Sequence, residues 1–206
     1  MTGLFVTFEG GDGAGKTTQL TLLGEWLADN NHPYITTREP GGTDVGEQLR
    51  DIILHRRGFL APRAEALLYA ADRAHHIYTV VRPALERGDV VIQDRYFDSS
   101  VAYQGAGRIL DEEEVRQLSL WATENLIPDL TVVLDVPAGV AKQRRDSTRV
   151  VYDRLEAEAD DFHERVRDAY RRLADREPDR FLILDGQRPE RDIHVDIVTR
   201  VSALLG

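Results

Sequence analysis

The sequence predicts an α/β fold, a parallel β-sheet flanked by helices on both faces, in one domain spanning residues 1–206. Short, continuous apolar runs suited to buried strands occur five times, and segments with helical periodicity separate them. Parallel strands need such crossover helices because a tight turn cannot join them. With 206 residues, 42% of them hydrophobic and 30% charged, the chain is long enough to bury one core.

Each predicted strand is an apolar, β-prone run that ends at turn or polar residues. The first stops at the paired glycines Gly10 and Gly11, and the third ends just before Asp94. We expect the five strands at residues 4–8, 34–37, 89–93, 130–136 and 181–184.

The first two helices are predicted by apolar residues at helical spacing. Residues 17–29 show this spacing directly after the glycine-rich segment. Pro and paired Gly then require a loop at residues 38–43. The helix that follows this loop is expected to turn four apolar residues inward: Val45, Leu49, Ile52 and Ile53.

The later helices carry clearer boundary signals. Residues 64–85 are helical in period, and Pro83 near their end predicts a kink or a restart. Asp111 followed by Glu114 is a capping-box pattern, so a helix is expected at residues 112–124. Two further helices are expected at residues 156–175 and 192–204.

Composition narrows the function. Asp and Glu number 36 against 26 Lys and Arg, a net charge of −10, which disfavours nucleic acid and anionic membranes as partners. There is no cysteine, so disulfides and thiolate metal sites are excluded. No segment approaches the roughly 20 apolar residues of a membrane span, and the first residues do not form a signal peptide. We therefore expect a soluble, cytoplasmic protein without a membrane or nucleic-acid partner.

One motif carries the chemistry. The segment beginning at Gly10 and ending at Lys16-Thr17 matches G-x-x-x-x-G-K-[ST], between a predicted strand and a predicted helix. Its backbone N–H groups and the helix start suit phosphate oxygens, the lysine reaches the β- and γ-phosphates, and the threonine hydroxyl suits Mg²⁺. The predicted ATP-binding residues are Gly10, Gly11, Asp12, Gly13, Ala14, Gly15, Lys16, Thr17 and Thr18.

Asp94 and Arg95 follow a predicted strand at the edge of the sheet where ligands of such folds bind. An Asp there is the usual second partner of Mg²⁺ beside Thr17, although a helix cap is the simpler alternative. The guanidinium suits a second phosphate. Because no N-K-x-D string occurs, a GTPase switch is disfavoured.

Cations are needed on both phosphate groups of a phosphoryl transfer. Arg38, Arg73 and Arg95 are candidates for holding the acceptor. The basic run at residues 144–154 suits a mobile cover that excludes water, although such a run is often only a solvated helix face. Its arginines are Arg144, Arg145, Arg149 and Arg154.

Four segments together resemble bacterial thymidylate kinases, and the resemblance covers essentially the whole chain. They are F-E-G with the glycine loop at 8–17, T-R-E-P-G-G-T at 37–43, E-A-L-L-Y-A-A-D-R-A-H-H at 65–76, and D-R-Y-F-D-S-S-V-A-Y-Q-G at 94–105. The resemblance implies a P-loop NTPase fold of the nucleoside monophosphate kinase type, with a mobile lid at about residues 144–155. It implies transfer of the ATP γ-phosphate to dTMP with Mg²⁺, which gives dTDP and ADP.

The resemblance also implies roles at the nucleobase. Tyr69 matches the ring that stacks on thymine, and Arg73 matches the donor to a base carbonyl. Ser100 and Gln104 match positions near the base edge, and Tyr103 matches the ring that crowds the 2′ carbon of the sugar. Asp12 similarly matches a carboxylate near the acceptor's 3′-hydroxyl.

The predicted catalytic residues are Lys16, Arg95, Arg144, Arg145 and Arg149. Members of the resembled family differ in where the catalytic arginine lies. The glycine loop contains no arginine, so the resemblance assigns the catalytic arginine to the lid, where Arg144, Arg145 and Arg149 all stay candidates. The lid is less basic than is usual for the family. A homodimer is also implied by the resemblance, and Trp26 and Trp121 are interpreted as core or interface anchors.

Two alternatives remain open from the sequence. One is another nucleoside monophosphate or deoxynucleoside kinase, which Tyr69 and Arg73 disfavour. The other is an ATP-binding regulatory module without phosphoryl transfer, which the presence of Lys16, Thr17 and Asp94 disfavours.

Overall fold

A computed structural model describes residues 3–55, 58–146, 153–156 and 158–206. Its centre is a five-stranded, fully parallel sheet in the order β2-β3-β1-β4-β5. The strands are β1 (Leu4–Glu9), β2 (Tyr34–Arg38), β3 (Val90–Asp94), β4 (Leu130–Asp135) and β5 (Phe181–Asp185). All five lie where the sequence predicts them, and every strand end is within one residue of its predicted position.

Helices cover both faces of this sheet. In chain order they are α1 (Lys16–Asp29), α2 (Asp44–Arg50), α3 (Pro62–His76), α4 (Arg82–Arg87), α5 (Phe97–Ser100), α6 (Glu112–Ala122), α7 (Ala138–Asp146), α8 (Asp160–Arg176) and α9 (Glu190–Leu205). Three wider π-helical turns extend α2, α3 and α5, at Asp51–His55, Ile77–Val81 and Val101–Gly107. No helix in these ranges is long and apolar enough to cross a membrane.

The alternation of strand side chains explains the two covered faces. Val6, Phe8 and Ile92 pack under α1 and α9 in one core cluster. Their neighbours Phe5 and Val91 point to the opposite face, against α4 and α5. The buried strands therefore read as continuous apolar runs, as expected for a parallel sheet covered on both sides.

Several helix predictions needed correction. Val45 and Ile52 were expected to face inward but are 45% and 42% exposed, whereas Ile53 is fully buried. Ile52 lies in the π-helical turn at Asp51–His55, which adds a residue to the turn and rotates its side chains away from their α-helical positions. Val45 precedes that turn, in α2, where the buried position is Gly46 instead. Trp121 is 80% exposed and is therefore not a core residue.

The break predicted by Pro83 is present as the π-helical turn Ile77–Val81, after which α4 begins with Pro83 in its first turn. The N-cap half of the capping box at Asp111 forms, since its carboxylate accepts hydrogen bonds from the backbone N–H groups of Glu113 and Glu114, whereas the Glu114 carboxylate accepts from Arg63. The sequence prediction omitted α5 with its π-helical extension, and it omitted α7. It also began α8 four residues early, because 153–156 forms a turn beside the main cleft.

Candidate active site

The glycine loop lies between β1 and α1, at the carboxyl end of the central strand. Gly10 and Gly15 have φ angles of 123° and 101°, a region that favours glycine. A Cβ atom on Gly10 would lie 2.5 Å from the carbonyl oxygen of Leu134, so the neighbouring strand also requires glycine here. Helix α1 begins directly at Lys16, which places its N-terminal N–H groups at the loop. This arrangement can bind an anion.

Lys16 is buried beneath the loop. Its Nζ atom donates to the carbonyl oxygens of Gly10 and Gly11, at 3.1 Å each, and lies 3.9 Å from Asp12 Oδ1. Burial, followed by the nearby Arg95, lowers the pKa of Lys16, while neighbouring carboxylates oppose the shift. Because this ammonium is shielded from water, a phosphate that enters the loop would gain a strong electrostatic interaction with it.

Arg95 extends the site from β1 to β3. Its backbone N–H donates to Phe8 O at 2.9 Å, and its φ angle of 66° turns the chain sharply after β3. The guanidinium donates to Asp12 Oδ1 at 2.8 Å and to the hydroxyl of Tyr103 at 3.1 Å. It also lies 4.9 Å from the ring centroid of Tyr103. Residues from the glycine loop, the end of β3 and the π-helical turn after α5 therefore form one cluster.

Asp94 and Thr17 both line the cleft beside this cluster. The Oδ1 atom of Asp94 is buried and has no hydrogen-bond partner within the described residues, an arrangement that is costly unless a ligand satisfies it. The residues described contain no group of three or more acidic or histidine side chains suited to a metal. One carboxylate and one hydroxyl nevertheless fit Mg²⁺, which is usually bound by few protein ligands together with phosphates and water.

The wall of the cleft that the resemblance assigns to the nucleobase centres on Arg73, whose side chain is only 2% exposed. Its Nε atom donates to Glu39 Oε2 at 2.7 Å, and Nη1 donates to Ser119 Oγ at 3.1 Å. Its Nη2 atom donates to Ser100 Oγ at 3.0 Å and to the backbone oxygen of Tyr96. These contacts fix the guanidinium at the wall of the cleft, next to Ser100.

Gln104 is also fixed by a buried carboxylate. Its Nε2 atom donates to Glu65 Oε1 at 2.9 Å. Glu65 is fully buried and also accepts hydrogen bonds from Arg108 and Arg154. Because an ionised carboxylate only accepts, it directs the amide nitrogen of Gln104 towards itself. Tyr69, which is 8% exposed, lies on the same wall.

The loop after β2 is fastened to α3 by polar contacts. Glu39 Oε1 contacts His76 Nδ1 at 3.0 Å, and the other ring nitrogen contacts Thr37 Oγ1 at 2.7 Å. Asp72 Oδ1 accepts from the backbone N–H of Gly41 at 3.2 Å. The peptide bond between Glu39 and Pro40 is cis. Arg38 is exposed at the mouth of the cleft and pairs with Glu47 at 2.6 Å.

The segment expected to form a lid borders the cleft at both ends. Arg144 donates to the carbonyl oxygen of Gly186 from Nη1 and Nη2, each at 3.0 Å, and reaches Gly13 O at 3.5 Å. Arg154 turns away from the phosphate loop and binds Glu65 and the backbone oxygen of Ile53. Its place in a cationic cover stays a prediction. Arg149 and the side chain of Arg145 lie outside the described residues.

One cleft of about 780 Å³ collects most of the predicted site residues. Those lining it are Asp12, Gly13, Ala14, Gly15, Lys16, Thr17, Thr18, Arg38, Tyr69, Arg73, Asp94, Arg95, Ser100, Tyr103, Gln104 and Arg144. Gly10 and Gly11 instead border a small cavity of about 30 Å³ behind the loop. Sequence reasoning missed the supporting carboxylates Glu39 and Glu65, although both belong to the quoted motifs.

Comparison with known proteins gives a consistent result. The family model described as thymidylate kinase matches residues 8–197. A thymidylate kinase of Clavibacter michiganensis subsp. michiganensis is 62% identical over 205 residues, which is 100% of this chain and 97% of that protein. One from Leifsonia xyli subsp. xyli is 63% identical over 200 residues, or 97% of this chain and 95% of that protein. The crystal structure of thymidylate kinase from Ehrlichia chaffeensis superposes with a TM-score of 0.79 at 30% identity, covering 98% of this chain and 99% of that one.

Proposed function

This chain belongs to the thymidylate kinase family and phosphorylates dTMP to dTDP, and from that premise we propose how its cleft performs the transfer. One observation supports the proposal above the others. A single cleft has the glycine loop with Lys16 at one end and Tyr69 with Arg73 at the other. A donor phosphate chain and an acceptor nucleotide would therefore meet near Arg95, between the two ends.

The glycine loop is proposed to hold the phosphates of ATP. Its backbone N–H groups and the start of α1 would face the phosphate oxygens, and Lys16 would exchange its carbonyl partners for the β- and γ-phosphates. Arg144, anchored at Gly13 and Gly186, would add positive charge on the donor side.

The opposite end is proposed to hold dTMP. Tyr69 would stack on thymine, and Arg73 would donate to a base carbonyl while Ser100 and Gln104 contact the base edge. Tyr103 would pack against the sugar, and Asp12 would lie near the 3′-hydroxyl. Arg95 and Arg38 would hold the acceptor phosphate, whose charge they complement.

Thr17 and Asp94 are proposed to hold Mg²⁺. The buried and unpartnered Oδ1 atom of Asp94 supports this assignment. When bound, the ion would neutralise charge on the β- and γ-phosphates.

Charge neutralisation and alignment carry the reaction. An oxygen of the dTMP phosphate forms a bond to the γ-phosphorus, and the bond from that phosphorus to the β–γ bridging oxygen breaks, so ADP leaves. The acceptor oxygen is already anionic, and no strong base is required. Lys16 and Arg95 would stabilise the charge that is spread over the transferring group.

Residues 144–155 are proposed to act as a lid over the phosphates, as part of one catalytic domain. Both described flanks support this role, since Arg144 contacts the glycine loop and residues 153, 155 and 156 line the cleft. Arg145 and Arg149 stay candidates for the catalytic lid cation. Exclusion of water by a lid would limit hydrolysis of ATP.

A homodimer is proposed to form through α3 and α6. These helices pack together. Leu67 on α3, Tyr78 on its π-helical extension and Trp121 on α6 are 57%, 75% and 80% exposed. Large exposed apolar side chains in one area are typical of protein interfaces. A cytoplasmic location is also proposed because ATP and dTMP are available there. The comparisons give no support to a non-transferring module or to another acceptor.

The activity is tested by incubating the purified chain with Mg²⁺ and ATP. The monophosphates of thymidine, deoxyuridine, adenosine, guanosine and cytidine are supplied in separate reactions, and ADP and the diphosphates are quantified by chromatography. We expect diphosphate mainly from the thymidine compound, with one ADP formed for each dTDP. A preference for another acceptor would overturn the base-site assignment, and ADP without diphosphate would contradict phosphoryl transfer.

A further inference from the structure

Glu9 is a fully buried carboxylate at the last position of β1, directly before the glycine loop. It accepts three hydrogen bonds. The donors are the backbone N–H of Tyr96 at 2.8 Å, the Ser99 hydroxyl at 2.5 Å and the Tyr170 hydroxyl at 2.7 Å. Burying a carboxylate is costly, so its presence behind the site needs a reason beyond packing.

Two of the three donors belong to the segment that carries Arg95. Tyr96 follows Arg95 directly, and the φ angle of 66° at Arg95 is a left-handed conformation that costs on the order of 1 kcal/mol or more outside glycine. The hydrogen bond from Tyr96 N to Glu9 Oε1 holds the chain immediately after this strained residue. Glu9 therefore stabilises the backbone that aims Arg95 into the cleft.

Glu9 is also linked to the guanidinium of Arg95, through the hydroxyl of Ser99. Arg95 Nη1 donates to Ser99 Oγ at 3.1 Å, and Ser99 Oγ donates to Glu9 Oε2. A hydroxyl has one proton, and an ionised carboxylate only accepts. Ionised Glu9 thus commits the Ser99 proton to itself and leaves the lone pairs of Ser99 for Arg95.

From this geometry we propose that Glu9 is a positioning residue for phosphoryl transfer, which fixes Arg95 through Ser99 and the backbone of Tyr96. The proposal rests on the role proposed above for Arg95 at the phosphates. Protonated Glu9 would have to donate its own proton to Ser99 or Tyr170. That change would disturb the chain of hydrogen bonds that ends at Arg95.

Charged and titratable groups surround Glu9 from several elements. Burial and the Asp98 carboxylate on α5 raise the pKa of Glu9 to about 7, while Arg95 and the hydrogen bonds from Ser99 and Tyr170 oppose the rise. Lys16 on α1 is a further nearby cation, and Tyr103 faces the same cluster. Turnover should therefore increase with pH as Glu9 ionises.

The first test measures steady-state kinetics of Glu9→Gln, Ser99→Ala and the double variant. Both single variants should lower kcat roughly ten- to a hundredfold, the range seen when hydrogen-bond partners behind metal ligands are removed. The KM for ATP should stay within a factor of two. The double variant should be no slower than the slower single variant, because both changes break one chain of contacts. Multiplicative losses, or a normal kcat in Ser99→Ala, would overturn the proposal.

The second test uses Tyr170→Phe, which keeps the ring and removes only the hydroxyl. Because that hydroxyl favours the ionised carboxylate, its loss should shift the acid side of the kcat–pH profile to higher pH. In Glu9→Gln the same limb should be absent. An unshifted profile in Tyr170→Phe, with wild-type kcat at its plateau, would contradict the proposal.

Arg95→Ala separates this proposal from the one on which it rests. If Arg95→Ala turns over like the wild type, the assignment of Arg95 to the phosphates fails, and the positioning role falls with it. If Arg95→Ala is severely slowed but Glu9→Gln is not, only the positioning role is wrong.

Discussion

The two ends of the cleft are built in different ways. At the end proposed to bind the ATP phosphates, called the phosphate end below, residues 10–18 are contiguous, and much of the site consists of backbone N–H groups and a helix start. At the end proposed to bind the nucleobase, called the nucleobase end below, Arg73 and Gln104 come from separate elements, and a buried carboxylate holds each of them. Glu39 holds Arg73 across 34 residues of sequence, and Glu65 holds Gln104 across 39.

The difference in construction matches two tasks, which are binding of phosphate and recognition of the base. Phosphate is the same in every nucleotide, so a short loop with a fixed backbone shape can bind it. A base differs from its competitors by the position of donors and acceptors, and rigid side chains must match that pattern. The phosphate end should therefore govern turnover, and the nucleobase end should govern the choice of acceptor.

The largest expected effect comes from Lys16→Ala, which removes the buried ammonium at the phosphate end and leaves the nucleobase end unchanged. Turnover should decrease by roughly a thousandfold or more, because charge on the transferring group loses a fixed partner. The fold should persist, as judged by circular dichroism. Lys142, the other lysine of the chain, is exposed near Asp160, and Lys142→Ala serves as the control with unchanged turnover. Near-normal turnover in Lys16→Ala would refute the assignment of the phosphate end.

The second prediction concerns how the free energy of unfolding depends on pH, to which one buried carboxylate at each end of the cleft contributes. Burial raises the pKa of Glu9 to about 7 and, together with Glu39, raises the pKa of Asp72, which contacts the loop after β2, to about 6. The folded state then binds more protons than the unfolded state above about pH 4, so the free energy of unfolding should decrease as pH rises through this window. The Glu9 contribution is on the order of 3 kcal/mol.

Urea unfolding between pH 4 and 8 measures both contributions. Glu9→Gln should remove the part of the decrease that extends to pH 7, and Asp72→Asn should remove only a part that is complete near pH 6. If both variants show the same pH dependence of stability as the wild type, neither carboxylate is shifted as described.

A smaller effect is expected from Asp94→Asn. Since the unpartnered Asp94 Oδ1 atom is assigned to the metal, loss of its charge should raise the Mg²⁺ concentration for half-maximal activity by roughly tenfold to a hundredfold. Asp89, which precedes the same strand and pairs with Arg87, provides the control variant Asp89→Asn. An unchanged Mg²⁺ requirement in Asp94→Asn would leave the carboxylate as a structural group.

The shape of the glycine loop could be predicted from the sequence, whereas the contacts that support the nucleobase end could not, for the same physical reason. A contiguous motif such as that ending at Lys16 determines its own geometry through local backbone shape. The carboxylate partners of Arg73 and Gln104 come from distant segments, and their contacts depend on tertiary packing. The parallel strands were predicted because burial on both faces gives continuous apolar runs. The π-helical turns were not, since a widened turn leaves no periodic signal, which is why Ile52 was placed inward.

The division of tasks is tested most directly by the ratio of kcat/KM for dTMP to that for dCMP. Cytosine carries an amino donor where thymine carries the O4 acceptor, so a guanidinium donor at Arg73 should reject it. We predict that Arg73→Ala, and the milder Gln104→Ala, lower this ratio at least tenfold, whereas Lys16→Ala lowers both values and leaves the ratio unchanged. A ratio that survives both nucleobase substitutions, or that collapses in Lys16→Ala, would contradict the account.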